Sequence, residues 1–504
     1  MVYVLGVDLG TSSLKGILMD ERGKLIATKS AEYKLDTPQS GYSEQHPEYW
    51  TKALDTVLVG LSDEITDFGQ ELVALSFSGQ MHSLVALDKD EKPVYPAILW
   101  NDVRTSKQCQ EITEKLGNRL LEITKNIALE GFTLPKILWL QENEPEVWAR
   151  VAKIMLPKDY LSLWLTGNTY TEYSDAAGTL LLDVEKREWS KEIAQIFGID
   201  LLILPELIES TGQTGKIKPE IVQRYKINEN VKVFAGGADN EAAALGAGLI
   251  NGEIGLVSMG TSGVVSAFEP RIINYKGKLH FFNHAVAGAY YSMGVTLAAG
   301  NSLSWYKETF NGSLSFKELL AEVSSISPGS DGLLFTPYIV GERTPHFDSK
   351  IRGSFLGISA HHNQHHFSRA VLEGITFSLR DSKDMMEAVK GHKFKRLVSV
   401  GGGAQNVDIM QMQANICNAE IISLTVEQGP GLGACMIAAM GCGLFDSLEE
   451  VTKAFVHYKE ATFIPQDKVV ENYEKIYQVW KNVYNTTADI SHQLVQIQIA
   501  QTQS

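Results

Sequence analysis

Near the start of the chain, apolar residues come in short runs broken by turn signals. Val2, Val4, Leu5 and Val7 lead into Asp8-Leu9-Gly10-Thr11-Ser12-Ser13, and Leu14, Ile17, Leu18 and Met19 lead away. Both flanks read as strands, and Asp20-Glu21-Arg22-Gly23-Lys24 marks the next turn, so residues 2–31 are expected to form a three-strand meander. The spacing then changes. Trp50, Ala53, Leu54, Val57, Leu58 and Leu61 share one face and predict a helix from Glu44 to Leu61, with Pro47 near its start. Val73 to Ser78 predicts a strand that ends in Gly79-Gln80-Met81-His82, and Ser83 to Leu87 a second strand leaving that turn. Helices are expected over 104–117 and 134–143, with a third from Val147 towards Leu165. Val231 to Ala235 reads as a strand ending in Gly236-Gly237-Ala238-Asp239-Asn240, and the small apolar run Ala242 to Leu249 as a tightly packed helix.

The second half repeats the style. Strands are expected over 255–268 and 279–293, and helices from Ala298 to Thr309 and from Ser368 to Val389. Arg396 to Val400 predicts a strand running into Gly401-Gly402-Gly403-Ala404-Gln405-Asn406, followed by a helix to Cys417. A short strand at Ile421 to Leu424 and a small-residue helix from Gly431 to Met440 come next, and the polar tail after Ser491 is expected to fray. One similarity is closer than style. Gly260-Thr261-Ser262 superposes on Gly10-Thr11-Ser12, each between strand-like runs, so two domains of similar build are expected. The boundary falls near 245–254, giving domains 1–247 and 248–504. The copies differ at one position: Asp8 is acidic and its counterpart Ser258 is not.

Composition narrows the options. The 504 residues suffice for two or more cores, and 44% hydrophobic with 21% charged residues is ordinary for a globular chain. A formal net charge of -15, with no Lys/Arg cluster to override it, argues against nucleic acid and anionic membranes as partners. Cys109, Cys417, Cys435 and Cys442 lack metal spacing and fit small core residues in a reducing cytoplasm. The chain opens directly on a strand, so no signal peptide is expected, and no apolar run is long enough for a membrane helix.

A turn with one glycine and three small hydroxyl residues can offer N–H and hydroxyl donors to an anion. Asp8 at its lip would repel phosphate unless a cation lay between, which points to a metal–phosphate site as against an ordinary hairpin with a stray acid. Asp239 follows a strand and two glycines, where ligands meet α/β sheets. It reads either as the base for phosphoryl transfer to an alcohol or as the cap of the alanine-rich helix after it. The Gly401–Ala404 turn reads either as a nucleotide-type cradle or as a plain tight turn. Neither a P-loop nor a Rossmann fingerprint is present. His361, His362, His365 and His366 lack an acid or cysteine to complete a metal set and are expected in a solvated loop.

Longer motifs carry a resemblance. GFTLPKILWLQEN (131–143) and the stretch 353–373, with Gly357-Ile358 and Ala370-Val371-Leu372-Glu373, resemble the two signatures of the FGGY carbohydrate kinases. Gly79-Gln80-Met81-His82, Trp100-Asn101-Asp102, Pro157-Lys158-Asp159-Tyr160, Ser174-Asp175-Ala176-Ala177-Gly178-Thr179, Ala238-Asp239-Asn240 and Gly341-Glu342-Arg343-Thr344-Pro345-His346 resemble most closely the branch that acts on ketopentoses. The resemblance implies α/β architecture: two ribonuclease-H-like, actin-type ATPase domains around a central cleft, the first binding sugar and the second ATP. It implies Asp239 as proton acceptor, Met81, His82, Asp239 and Asn240 at the sugar, and Asp8 at Mg²⁺, through water. Thr11, Gly260, Thr261, Gly402, Gly403 and Asn406 are implied at ATP. Gln405-Asn406-Val407-Asp408 departs from the serine and aromatic that many relatives carry there. The implied reaction is ATP-dependent phosphorylation of D-xylulose at its 5-hydroxyl. Gluconate or another sugar or polyol is the alternative acceptor, and a non-catalytic sugar sensor of the same fold the alternative class. A homodimer is the family expectation.

Overall fold

The computed structural model describes residues 2–503. Two six-stranded mixed sheets organise the chain. The first runs Gln213–Lys216, Lys232–Ala238, Leu72–Gly79, Tyr3–Leu9, Ser13–Asp20, Leu25–Glu32 in spatial order. The second runs His280–Asn283, Tyr290–Thr296, Gly263–Glu269, Ile254–Met259, Arg396–Gly401, Glu420–Ser423. Each sheet contains an antiparallel three-strand meander whose first strand pairs in parallel with a later strand, which pairs in parallel with a fifth. The buried central strands are continuous apolar runs, as strands covered on both faces require. This duplicated order is the ribonuclease-H-like pattern expected of actin-type ATPase domains. The two hairpin loops are alike but not equal in length: Gly10 N–H donates to Ser13 O and Gly260 N–H to Ser262 O, both at 3.0 Å, the second loop being one residue shorter.

Between the sheets lie two helices made almost wholly of small residues, Asp239–Gly246 and Pro430–Gly441. The second of them comes from the C-terminal half yet packs on the strand Tyr3–Leu9. A Cβ on Gly6 would sit 2.2 Å from Gly431 O, and a Cβ on Gly433 only 2.0 Å from Ala242 O. The Cys435 thiol donates to Ile17 O at 3.2 Å. One core therefore runs from Val4, Ile17 and Phe234 through Leu432 and Met436 to Leu256, Val398 and Ile422.

Several elements differ from expectation. The first long helix is Pro47–Glu64; Glu44–Gln45 instead pairs with Ala97–Ile98, and Pro47 opens the helix where its missing N–H costs nothing. The single helix expected from Val147 to Leu165 is three elements. Pro145–Trp148 ends in a turn, Lys153–Met155 pairs with Val85–Leu87, and Pro157 starts a fresh helix to Thr166. The four histidines do not form one solvated loop. His365 and His366 lie in the first turn of the helix Gln364–Lys390, capped by Asn363, and buried His366 lies 3.2 Å from Asp331 Oδ2. The tail does not fray: Asp467–Gln503 is one helix.

The close helix crossing gives a prediction. Gly433→Ala forces its Cβ against a backbone oxygen, so the two helices must part. We expect a loss of about 1–3 kcal/mol, read as a lower urea midpoint with an unchanged slope. An unchanged midpoint would mean that the seam has room to spare.

Candidate active site

The C-terminal ends of three parallel strands in the first sheet bring the chemistry together. Asp8 lies near the end of Tyr3–Leu9, Met81 and His82 follow Leu72–Gly79, and Asp239 follows Lys232–Ala238 directly. Asp8 and Asp239 share one environment. Burial, and then the charge of Asp239, push the Asp8 carboxyl up to about 7, against the pull of Lys15. Burial pushes Asp239 up to about 6, against hydrogen bonds from Asn240. Lys15 faces Asp8 across the hairpin and donates to Gln428 Oε1 at 2.6 Å, ahead of the seam helix. Two desolvated carboxylates with one lysine, which acts on Asp8, are short of positive charge.

Asp239 is the first residue of its helix, and the cap position is Ala238. Its Oδ1 accepts Asn240 N–H at 2.7 Å and Asn240 Nδ2 at 3.0 Å. Asn240 Nδ2 also approaches Met81 Sδ at 3.8 Å, so the predicted Met81, Asp239 and Asn240 are neighbours. Behind them is a buried ionic cluster. Lys158 Nζ lies 2.6 Å from Asp159, 3.4 Å from Glu172 and 3.7 Å from Asp175. Ser174 hydroxyl donates to Glu172 Oε1 at 3.0 Å and accepts Ala238 N–H at 3.0 Å. The chain Lys158–Glu172–Ser174 thus fixes the backbone that presents Asp239.

His82 has φ 68, a left-handed conformation rare for a residue with a Cβ. Its Nδ1 lies 2.7 Å from Gly178 O. A carbonyl only accepts, so Nδ1 carries the proton. Burial drives the ring pKa down to about 3, which leaves Nε2 as a free acceptor. Phe132 and Phe282 flank the ring with centroids at 4.6 and 5.9 Å. Tyr291 hydroxyl reaches Met81 Sδ at 3.8 Å. Phe282 and Tyr291 belong to the second sheet. The pocket expected in the first domain is therefore walled by both halves, which no local pattern in the chain could reveal.

The second hairpin faces a cavity of about 720 Å³. Gly260, Thr261, Gly402, Gly403 and Asn406 all line it, together with Gly300, Asn301, Ser304, Phe316 and Gln405, which the motifs did not point to. Gly300 and Asn301 donate to the carbonyls of Gly260 and Thr261 at 2.8 and 3.0 Å, stiffening the loop. Asn406 Oδ1 caps the helix Val407–Cys417, accepting from Asp408 and Ile409. Thr11 is not among this lining: its hydroxyl accepts Trp100 Nε1–H at 2.9 Å and its carbonyl accepts Gln45 Nε2 at 2.6 Å. Among the described residues no cluster of three or more His, Cys, Asp or Glu side chains is placed to hold a metal ion. Among the described residues no helix is long and apolar enough to cross a membrane.

A glycine-lined cavity beside one sheet, and a cluster of carboxylates and aromatic rings drawn from both sheets, fit a phosphotransferase of the actin-type class. Residues 3–246 match the N-terminal domain of the FGGY family of carbohydrate kinases, and residues 255–442 its C-terminal domain. The chain belongs to this family. It is 79% identical over 496 residues to a xylulose kinase of Lactococcus lactis subsp. lactis (strain IL1403), covering 98% of this chain and 99% of that one. Among solved structures it is similar to a ligand-bound xylulose kinase from Lactobacillus acidophilus, with TM-score 0.92, 27% identity and coverage of 97% and 99%. A gluconate kinase from the same organism matches with TM-score 0.91, 28% identity and coverage of 96% and 98%.

The hydroxyl of Ser174 is open to test. Ser174→Ala leaves the Ala238 N–H buried without an acceptor. We expect about 1–3 kcal/mol less stability and a roughly tenfold lower kcat, with the sugar KM nearly unchanged. A kcat equal to that of wild type would show that the ionic cluster does not orient Asp239.

Proposed function

We propose that this carbohydrate kinase transfers the γ-phosphoryl group of ATP to the 5-hydroxyl of D-xylulose, with Asp239 as general base. The observation that carries the reading is the pairing of Asp239 and Asp8 at one half-buried site, each with its carboxyl pushed up by desolvation. A base is most effective near the pH at which it works, and a carboxylate at about 6 is far better matched to an alcohol proton than one at its ordinary value. The sugar lies against Met81, His82 and Asn240, with His82 Nε2 accepting one hydroxyl proton. Residues 1–247 act as the sugar domain and 248–504 as the ATP domain. Asp8 fits a divalent cation, because its charge is compensated only in part by Lys15. Mg²⁺ bound there, through water, would neutralise charge on the phosphates. Gly260, Thr261, Gly402, Gly403 and Asn406 hold ATP in the cavity they line, and Thr11 faces the phosphates from the opposing loop.

Fold does not choose the sugar, since the xylulose and gluconate kinases match almost equally well in three dimensions. Sequence favours xylulose: relatives 79%, 48% and 45% identical over nearly the whole chain are xylulose kinases. We place the enzyme in the cytoplasm. It acts as a homodimer, a reading supported by Ile490, Leu494 and Ile497, which lie exposed at helical spacing on the terminal helix.

Coupled ADP release, measured with ketoses, aldoses, polyols and gluconate and without sugar, tests the reading. D-xylulose should give the highest kcat/KM; sugar-independent ATP turnover or a preference for gluconate would overturn it. Asp239→Asn should lower kcat by roughly 10²–10⁴-fold. For wild type, kcat/KM should fall as pH drops through about 6, where Asp239 takes up its proton. The same shift fixes a sign for stability. A carboxyl whose folded pKa lies above its unfolded value costs stability when ionised, so Asp239→Asn should stabilise the fold by about 1–3 kcal/mol above pH 6. That gain should vanish near pH 4, below which both states are protonated. A gain equal at both pH values would remove the buried charge as its cause.

A further inference from the structure

The acceptors around the sugar pocket outnumber the donors. Asp239 accepts, and the free Nε2 of His82 accepts. Met81 Sδ offers no proton, and Asn240 Nδ2 is already turned to Asp239. An open-chain ketose carries one oxygen, its carbonyl, that can only accept. Such a pocket needs a donor, and among Met81, His82, Asp239 and Asn240 the one N–H not given to an oxygen is the second of Asn240 Nδ2, which rests on Met81 Sδ at 3.8 Å.

Arg343 is the unspent donor. Its backbone is held by the second sheet. Thr344 N–H donates to Val295 O at 3.0 Å, and Val295 N–H donates to Thr344 Oγ1 at 3.1 Å. Glu342, just before it, is saturated by Thr296 hydroxyl at 2.6 Å, Leu297 N–H at 3.0 Å and Arg343's own N–H at 2.7 Å. Two residues back from Val295 on the same strand, Met293 pairs with His280 on the neighbouring strand. The ring of His280 stacks on Phe282 at 5.8 Å and meets Phe132 at 5.7 Å, the two rings that flank His82. Arg343 is thus anchored beside the aromatic wall of the pocket. Its guanidinium, half-buried, makes no hydrogen bond or ion pair to any described residue. The charges of Glu130 and Glu342 offset its burial only in part, and a shielded guanidinium with no hydrogen-bond partner is costly unless a ligand completes it. Burial lowers its pKa, and its charge helps to depress both His82 and His280. It does not line the cavity at Gly260 and Gly402.

Resting on the reading above, we propose that Arg343 is a specificity residue, delivered from the second half, whose guanidinium donates to the ketone oxygen of the sugar. The partner is then a ketose: a polyol of equal length offers an alcohol there, which has a proton of its own to place.

Arg343→Met keeps the stem and removes every donor; Arg343→Lys restores one. In Arg343→Met the KM for D-xylulose should rise at least about tenfold, with kcat changed less than about threefold. Inhibition by D-arabitol, the C2 alcohol of the same sugar, should weaken less than about threefold, and KM for ATP should hold within the same limit. Arg343→Lys should recover part of the sugar affinity, and without ligand the thermal midpoint of Arg343→Met should equal or exceed that of wild type, because a partly buried charge is removed. An unchanged sugar KM would overturn the proposal. So would equal losses for D-xylulose and D-arabitol, or a parallel rise in KM for ATP, because either would mean a general loss of pocket shape. If Arg343→Met does not fold, Arg343→Lys carries the same comparison. Should wild type fail to phosphorylate D-xylulose at all, the functional reading fails first, and that result is distinct from a wild type that is active and a variant that is equally so.

Discussion

Two carboxylates that repel each other, Asp8 and Asp239, sit in a space from which water has been largely removed. Most of what surrounds them bears on that tension. Lys15 relieves it in part, and Asn240 relieves Asp239 through its N–H and amide. Lys158 lies behind, but its charge is already claimed by Asp159, Glu172 and Asp175. A protein that sought only stability would not put these acids together, since each buried charge without a full partner costs free energy. The arrangement makes sense if positive charge arrives with the ligands. The strain then lies where phosphoryl transfer could use it, in the roles proposed above for Asp239 and Asp8.

Such a site needs its two halves held in register yet able to approach each other. The seam of Asp239–Gly246 against Pro430–Gly441 provides the register. Its backbones come so close that a single methyl at Gly433 would strike Ala242 O. The seam helix also lies on Tyr3–Leu9, and Asp8 is on that strand. Asp239 begins the other helix of the seam. Both acids are therefore mounted on the packed contact itself, where any relative movement of the halves pivots with least displacement. The aromatic wall of Phe282 and Tyr291 is carried by the far strands of the second sheet, where the same rotation would move it further.

The amino-acid sequence made some of this legible and hid the rest for physical reasons. Strands covered on both faces and bounded by glycine turns announce themselves, and so did the duplicated hairpin, because strand runs and tight turns are local properties. The break at 149–156 was invisible because the apolar run continues through it. Only Pro157, which can begin a helix but not continue one, marks the change, and it was read past. His365 and His366 looked like surface residues because their burial depends on Asp331 and on a cap, not on their neighbours in the chain. At the site, Met81, Asp239 and Asn240 could be named because each follows a strand. Phe282 and Tyr291 could not, because they come from the other half and carry no local mark, and Arg343 stood in a motif that gave it no role. The Lys158 cluster showed only as a motif. That its glutamate holds a serine which holds the backbone before Asp239 is a fact of three dimensions.

The duplication also shows how one architecture came to serve two substrates. Corresponding strand ends do different work in the two halves. The strand after the first meander exits at Gly79-Gln80-Met81-His82 in one sheet and at Gly401-Gly402-Gly403-Ala404 in the other. The first exit presents a thioether and an imidazole, side chains that grip a small polar molecule; the second presents bare backbone, under which a larger group can slide into an open cavity. The hairpins diverge in the same sense. Where the first has Asp8, the second has Ser258, a group that adds no charge beside the loop at Gly260 and Thr261. Two identical halves could not have done this, because an acid on each loop would double the repulsion at the phosphates, and a glycine exit on each would leave nothing to orient the acceptor. Keeping the strand order while exchanging only the residues at strand ends let the sheets stay superposable as their chemistries parted.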